Sequence, residues 1–349
     1  LLNCWNSVLR AEIKSTKPFI RSSEFLWQEG HTAHASEESA EKEVMDILLV
    51  YRDLMQDLLA IPVLIGKKTE KEKFVGAVYT TTLEAMMPDG KAVQMGTSHH
   101  LGQNFSKPFE IRFLGEDGQL HFVWQTSWGI SWRLIGAVVM QHGDDKGLVL
   151  PPRVAPVQAV IIPIIFSSSK AAEISKKCSE ISEKLEAAGV RVSVDSRENY
   201  TPGWKFNEWE LKGVPLRIEI GPRDVANGTC VFVRRDGVIK ETIQLSYVVN
   251  SAKKTLEAIQ ETLLEKAKAT LTSQITEATS YEMLEKTIES KGGFVRAPWC
   301  EGPTCETKVK EETGADIRLL SFDEKPKQDA KCIVCGAAAT QIAYFGRAY

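Results

Sequence analysis

The run at 18–34, PFIRSSEFLWQEGHTAH, constrains this chain more than any other stretch. Charged, aromatic and histidine side chains sit there among few aliphatics, ahead of a helical segment that begins near Ser36. The spacing predicts an antiparallel hairpin whose strands flank a loop at 22–24. Alternate residues of a strand share a face, so Arg21, Phe25 and Glu29 are expected to project towards one site. An arginine fork clamps a phosphate, an aromatic face stacks a base, and a carboxylate accepts from an exocyclic amine. The same pattern also fits a half-buried strand pair with a solvated turn. The segment alone leaves both readings open.

The rest of the chain sets bounds. Its 349 residues exceed one typical core and predict two or three domains. With 43% hydrophobic and 26% charged residues it reads as globular, not disordered. A net charge of −3 does not advertise nucleic-acid binding, so any RNA contact must come from local basic patches. No apolar run reaches the length of a membrane span, and the start shows no signal-peptide pattern. Of the seven cysteines, Cys4, Cys178 and Cys230 are scattered and the others cluster near the C-terminus. That usage predicts a reducing, cytoplasmic compartment. The chain opens Leu-Leu-Asn, without methionine, at what reads as a strand, so a missing N-terminal part is expected.

In order, a strand is predicted near 1–14, with Leu2, Trp5, Val8, Leu9 and Ile13 and with Arg10 on it. Ser36 reads as an N-cap with Glu37 and Glu38 in the first helical turn. Val44, Leu48, Tyr51 and Met55 follow at helical spacing, and Pro62 ends the helix. Segments 61–65 and 74–84 read as strand. Between them the charge run 67–73 reads as a solvated loop, with RNA tracking as the second reading. Turns at 88–90 and 116–118 and strands at 93–100 and 121–125 complete a mainly antiparallel pattern, which predicts an α+β domain. Past Pro156 the composition changes. The apolar run 157–166 predicts a buried strand, 167–189 an amphipathic helix, and 190–194, 216–220 and 230–234 further strands of an α/β domain. Residues 252–273 read as a long charged linker helix before a third unit at 280–349.

The run at 18–34 resembles motif 2 of the class II aminoacyl-tRNA synthetases, in the form typical of prolyl-tRNA synthetases. WGISWR at 128–133, leading into GLVLPPRVAP at 147–156, resembles motif 3. The likeness continues through TPGWKFNEWELKGVPLRIEIGPRD at 201–224 to the final FGRAY, covers nearly the whole chain, and points to the archaeal and eukaryotic branch. It implies an antiparallel class II catalytic domain at 1–156, an α/β anticodon-binding domain at 157–251, and a linker helix with a small α+β zinc-binding domain at 252–349. It implies activation of proline by ATP, with Mg²⁺, to prolyl-adenylate, then transfer to tRNA(Pro), in a homodimer. By the same resemblance Arg21 and Arg133 hold the phosphates and Glu24 and Phe25 the adenine. Gln94, Thr97 and Ser131 lie along the ribose and phosphates. Arg10, Trp27, Phe74 and His99 line the proline pocket, and Phe206, Glu210, Arg217 and Arg223 read the anticodon. Met95, Ser23 and Trp132 depart from the family's usual residues without removing a phosphate-binding arginine. The stretch between Glu29 and Arg133 has no room for the large editing insertion of the bacterial type.

Cys300-x4-Cys305 and Cys332-x2-Cys335 give two close thiol pairs, a Cys₄ pattern for structural Zn²⁺. The resemblance also implies that Tyr349 approaches the catalytic domain. The family's Thr-x-Glu loop, which accepts the proline ammonium, and its motif 1 are not in this sequence. Residues 1–349 alone are therefore expected to bind ATP weakly, to aggregate or stay monomeric, and to fail at prolyl-adenylate formation. The rival readings are a non-catalytic relative that binds tRNA or a protein, and a synthetase of altered specificity.

Overall fold

The fold is that of a computed structural model, which describes residues 1–11, 15–165, 170–237 and 239–349. Ile13 and Phe166 of the predicted strands lie outside the described residues. The chain forms two compact units, one of residues 1–56, 61–137 and 268–349, the other of residues 57–60 and 138–267.

The first unit opens with β1 (Leu2–Leu9) and β2 (Glu24–His34), paired antiparallel with Leu9 opposite Glu24. The hairpin is real, but its connection is residues 10–23, not the short loop predicted at 22–24. Arg21 bridges back to Lys17 inside that connection. α1 (Glu37–Asp53) starts where the N-cap signal placed it, with Ser36 Oγ accepting from Ser39 N–H. It buries Ala40, Val44, Leu48 and Tyr51, a stripe at helical spacing. A π-turn at Leu54–Leu58 ends it. β3 (Leu64–Lys67) and β4 (Tyr79–Met86) follow. Residues 74–78, predicted as strand, instead form a turn with Val75 exposed. β5 (Ala92–Gly102), a small ribbon of β6 (Arg112–Leu114) and β7 (Leu120–Phe122), and β8 (Trp124–Ser131) lead to α2 (Arg133–His142).

In the second unit β9 (Ala159–Pro163) is wholly buried, as its continuous apolar run requires. It lies between β10 (Val192–Val194) and β11 (Leu216–Ile220), parallel to both, and β12 (Thr229–Arg234) and β13 (Lys240–Gln244) extend the sheet. α3 (Ala171–Ala187), α4 (Pro202–Leu211) and α5 (Pro222–Asn227) accompany it. Ile174, Cys178, Ile181 and Leu185 of α3 join Ile161, Ile218 and Phe232 in its core. α6 (Val248–Ser273) starts in this unit and ends in the first.

Residues 268–349, which carry the predicted C-terminal domain, pack as part of the first compact unit. β14 (Ile275–Glu277), α7 (Tyr281–Ser290), β15 (Phe294–Trp299), α8 (Pro303–Thr313), β16 (Asp316–Ser321) and β17 (Gln341–Gly346) build on its sheet. The order β1-β2-β8-β5-β4-β3-β16-β17-β15-β14 makes one ten-stranded sheet. The seam is the β3–β16 pair, Lys67 opposite Leu320. Beside it Glu84, fully buried, accepts from Lys68 Nζ at 2.8 Å and from Arg318 Nη2 at 2.9 Å. Burial alone raises a carboxyl pKa, but Arg318 and Lys68 outweigh it and hold Glu84 below the ordinary range. At the chain end Ala92 N–H donates to Arg347 O (2.8 Å), the Tyr349 hydroxyl donates to Asp89, and Lys17 Nζ lies 3.9 Å from the centre of the Tyr349 ring. The predicted approach of the final tyrosine is present within this unit.

Candidate functional site

Three neighbouring strands form the floor of a cleft of about 360 Å³ in the first unit. Their registers explain its shape. Trp27 faces Ser131, Glu29 faces Gly129, and His31 faces Ser127 across β2 and β8. Thr97 and His99 of β5 face the same Gly129 and Ser127. Side chains alternate along each strand, so Glu29–Gly129–Thr97 and His31–Ser127–His99 form rows across the floor. Gly129 leaves the centre hollow: a Cβ there would stand 3.1 Å from Gln28 O and 3.7 Å from the Trp27 ring. Gly30 faces the other way, and a Cβ there would lie 2.0 Å from the Trp128 ring, so packing behind the floor demands glycine.

Arg10, Phe25, Trp27, Phe74, Gln94, Thr97, His99, Ser131 and Arg133, all singled out from sequence, line this cleft. Arg10 lies over Phe25, 5.3 Å from the ring centre, and Phe25 meets Trp27 edge-on at 5.9 Å. Phe74 packs at 5.1 Å from His99. Arg133, first residue of α2, is held by Nε donating to Ile20 O (3.0 Å) and Nη1 to Gln94 O (3.2 Å). Burial pulls its pKa down, and Arg10 and Arg21 add repulsion while Glu84 opposes. A guanidinium starts so high that it stays charged.

Two predicted residues stand apart from the lining. Arg21 is an exposed residue of the hairpin connection. Glu24 has the opposite parity to Phe25 on β2 and accepts from Ser7 Oγ at 2.8 Å. Sequence reading gave no role to His31, Thr80 or Ser127, which also line the cleft, and it read 67–73 as a solvated loop, whereas Lys68 and Glu72 line the cleft and Lys68 and Thr69 are buried. His31 and Ser127 were within reach of the alternation argument; Lys68, in a charge run, was not.

Both nitrogens of the His99 ring are engaged, Nδ1 with Thr80 Oγ1 at 2.8 Å and Nε2 with Thr97 Oγ1 at 3.0 Å. Burial lowers its pKa to about 4, from 6.5. The folded value lies below the unfolded one, so this group's contribution to stability is fully present above pH 6.5 and is lost as pH falls towards 4. In a proton NMR titration the His99 imidazole is expected to stay neutral from pH 8 to about 5. A midpoint near 6.5 would contradict this placement.

In the second unit Arg217 lies over Phe206, 4.4 Å from the ring centre, and donates to Glu219 at 2.9 Å. Arg217 and Glu210 line one small hollow, where Lys146 pairs with Glu210 at 3.1 Å, whereas exposed Arg223 lies outside it on α5. A second feature was only half legible. Tyr200 and Trp204 stack with ring centres 3.8 Å apart, and Arg197 lies over both at 5.0 and 5.3 Å. Arg197 is fixed by Asp195 and Glu208. Such partly exposed π faces suit unstacked bases.

Back in the first unit, the Sγ atoms of Cys300, Cys305, Cys332 and Cys335 lie within 4.8 Å of one another. Cys300 stands 3.8 Å from Cys305 and 3.7 Å from Cys335. A tetrahedron with Zn–S near 2.3 Å has an edge of about 3.8 Å, so the thiols fit zinc. One tightly held Zn²⁺ per chain is expected after gel filtration without added metal, with Zn–S near ~2.3 Å by X-ray absorption. A folded, reduced, zinc-free protein would contradict it.

Comparison with known proteins gives a consistent picture. The family described as tRNA synthetase class II core domain (G, H, P, S and T) matches residues 3–142, anticodon binding domain 158–255, and prolyl-tRNA synthetase, C-terminal, 281–349. The proline–tRNA ligase of Cenarchaeum symbiosum is 56% identical over 348 residues, covering 100% of this chain and 72% of the relative. That of Acetoanaerobium sticklandii is 46% identical with the same coverage. The crystal structure of prolyl-tRNA synthetase from Cryptosporidium parvum, complexed with halofuginone and AMPPNP, superposes with TM-score 0.95 and 45% identity. It covers 99% of this chain and 73% of that one.

Proposed function

This chain belongs to the prolyl-tRNA synthetases, of the archaeal and eukaryotic type, and from that premise we propose which of its residues carry the reaction. The activity is that of a proline–tRNA ligase: ATP activates proline, and the prolyl group passes to tRNA(Pro). The observation that carries the assignment is one cleft lined by the guanidinium groups of Arg10 and Arg133 together with the rings of Phe25, Trp27, Phe74 and His99. Cations beside aromatic faces suit a nucleotide polyphosphate and a small carboxylate.

Arg133 binds phosphate oxygens from within the cleft, Arg21 reaches in from the hairpin connection, and Arg10 meets the proline carboxylate. Phe25 stacks the adenine. Gln94, Thr97 and Ser131 orient ribose and phosphate, while Glu24 secures β2 through Ser7. Trp27, Phe74 and His99 wall the pyrrolidine ring, a small apolar body that packs on aromatic faces. Neutral His99 adds no charge beside the proline ammonium. The carboxylate attacks the α-phosphorus, a P–O bond forms, and the bond to the pyrophosphate oxygen breaks. The arginines stabilise the charge that builds on the oxygens. Mg²⁺, when bound, would supply further neutralisation of the polyphosphate.

The four thiols hold a structural Zn²⁺, closed to substrate. The intact protein is a homodimer, a reading supported by exposed Leu2, Trp5, Leu9 and Leu26 on the edge hairpin. Its cytoplasmic placement rests on seven unpaired cysteines. Among the described residues no helix is long and apolar enough to cross a membrane.

The anticodon is read by Phe206, Glu210, Arg217 and Arg223, with Tyr200 and Trp204 as stacking platform. Guanine offers acceptors to arginine and donors to a carboxylate. Arg217→Ala is expected to lower kcat/KM for charging tRNA(Pro) about 10- to 100-fold while sparing proline-dependent exchange of pyrophosphate into ATP. Equal loss of both activities, or of neither, would overturn this division of labour.

A further inference from the structure

Behind the cleft floor, His100 is fully buried, and neither of its ring nitrogens has a hydrogen-bond partner among the described residues. A buried imidazole without partners forfeits the hydrogen bonds water would give it. Its neighbours show what is missing. A ring nitrogen of His100 and one carboxylate oxygen each from Glu37 and Glu41 lie within 4.8 Å of one another. Glu37 and Glu41 are four residues apart in the first turns of α1, so both project from one face of that helix. The nearby His34 is not available to serve in the same way, because its nitrogens are already engaged by Thr32 (2.7 Å) and Ser39 (2.8 Å). The ring of Tyr79 lies parallel to that of His100, with centres 5.2 Å apart, and fixes the imidazole plane.

We propose that Glu37, Glu41 and His100 form a binding site for a first-row divalent cation, separate from the four-thiol cluster and tying α1 to β5. One imidazole nitrogen and two carboxylate oxygens, with water completing the shell, suit Zn²⁺ and its neighbours. The position gives the site its consequence. His99 points into the cleft and His100 to the opposite face of the same strand. A cation here fixes the strand that carries Gln94, Thr97 and His99. Because Glu37 and Glu41 are exposed, the ion exchanges with solvent more readily than one closed in by four thiolates.

The test uses the whole protein with its thiol cluster first filled with Zn²⁺, then titrated with Co²⁺ and followed by visible absorption. Wild type and Glu38→Gln, a change in the same helical turn outside the cluster, should each take up one further equivalent. The new bands should lack thiolate charge transfer, and the melting temperature should rise as the metal is added. The double variant Glu37→Gln/Glu41→Gln, which keeps shape and solubility, should bind this equivalent at least about a hundredfold more weakly and lose the rise. No further equivalent in the wild type, an unchanged one in the double variant, or one carrying a thiolate band would each overturn the proposal.

Discussion

In the full-length protein, replacing Arg133 by alanine is expected to slow proline-dependent exchange of pyrophosphate into ATP by about 10²–10³-fold, with the fold intact by circular dichroism. A preorganised charged donor at a transition state is worth about 3–4 kcal/mol, because it needs no reorganisation when charge develops. Arg133 fits that description: two backbone carbonyls hold its guanidinium, and it is the first residue of α2. Arg133→Lys keeps the charge but not the fork, and should recover only part of the rate. Near-normal exchange in Arg133→Ala would remove it from the reaction.

The second large effect is on stability. Glu84→Gln leaves Lys68 and Arg318 buried at the β3–β16 seam with their shared counter-charge gone. Breaking one member of a buried ion group costs about 3–5 kcal/mol, since the remaining charges cannot be resolvated. The urea midpoint of the first unit should fall accordingly. A triple replacement, Lys68→Met, Glu84→Leu and Arg318→Met, should lose far less, because no charge is left stranded. A single variant as stable as wild type would show that the seam does not depend on this group. The consequence reaches function, since Lys68 also lines the cleft.

The contrast between these two sites shows what the sequence makes legible. Alternation placed Phe25 and Glu29 on one face of β2, and the cysteine spacing located a four-thiol cluster. Arg10 and Phe74 entered through family resemblance alone, as nothing in their local pattern marks them. The hairpin connection was misplaced: residues 22 and 23 lead straight into β2 at Glu24, and the chain reverses over the longer stretch 10–23. Glu24 came from resemblance and not from alternation, and on β2 it has the opposite parity to Phe25. The Glu84 group was invisible, since its partners lie 16 and 234 residues away and meet only through strand pairing. For the same reason the pairing of β16 in the C-terminal segment with β3 was not legible from local pattern. His99 and His100 are adjacent on β5, so alternation sends the two rings to opposite faces.

The most direct measurement of the central claim is a crystal structure of the full-length protein with a non-hydrolysable prolyl-adenylate analogue. The analogue's base should stack on Phe25, its phosphate mimic should meet Arg133, and its pyrrolidine ring should sit between Trp27 and Phe74 beside His99, with Arg10 at the prolyl end. An analogue bound elsewhere, or a cleft left empty by a protein that still performs proline-dependent exchange, would contradict the account.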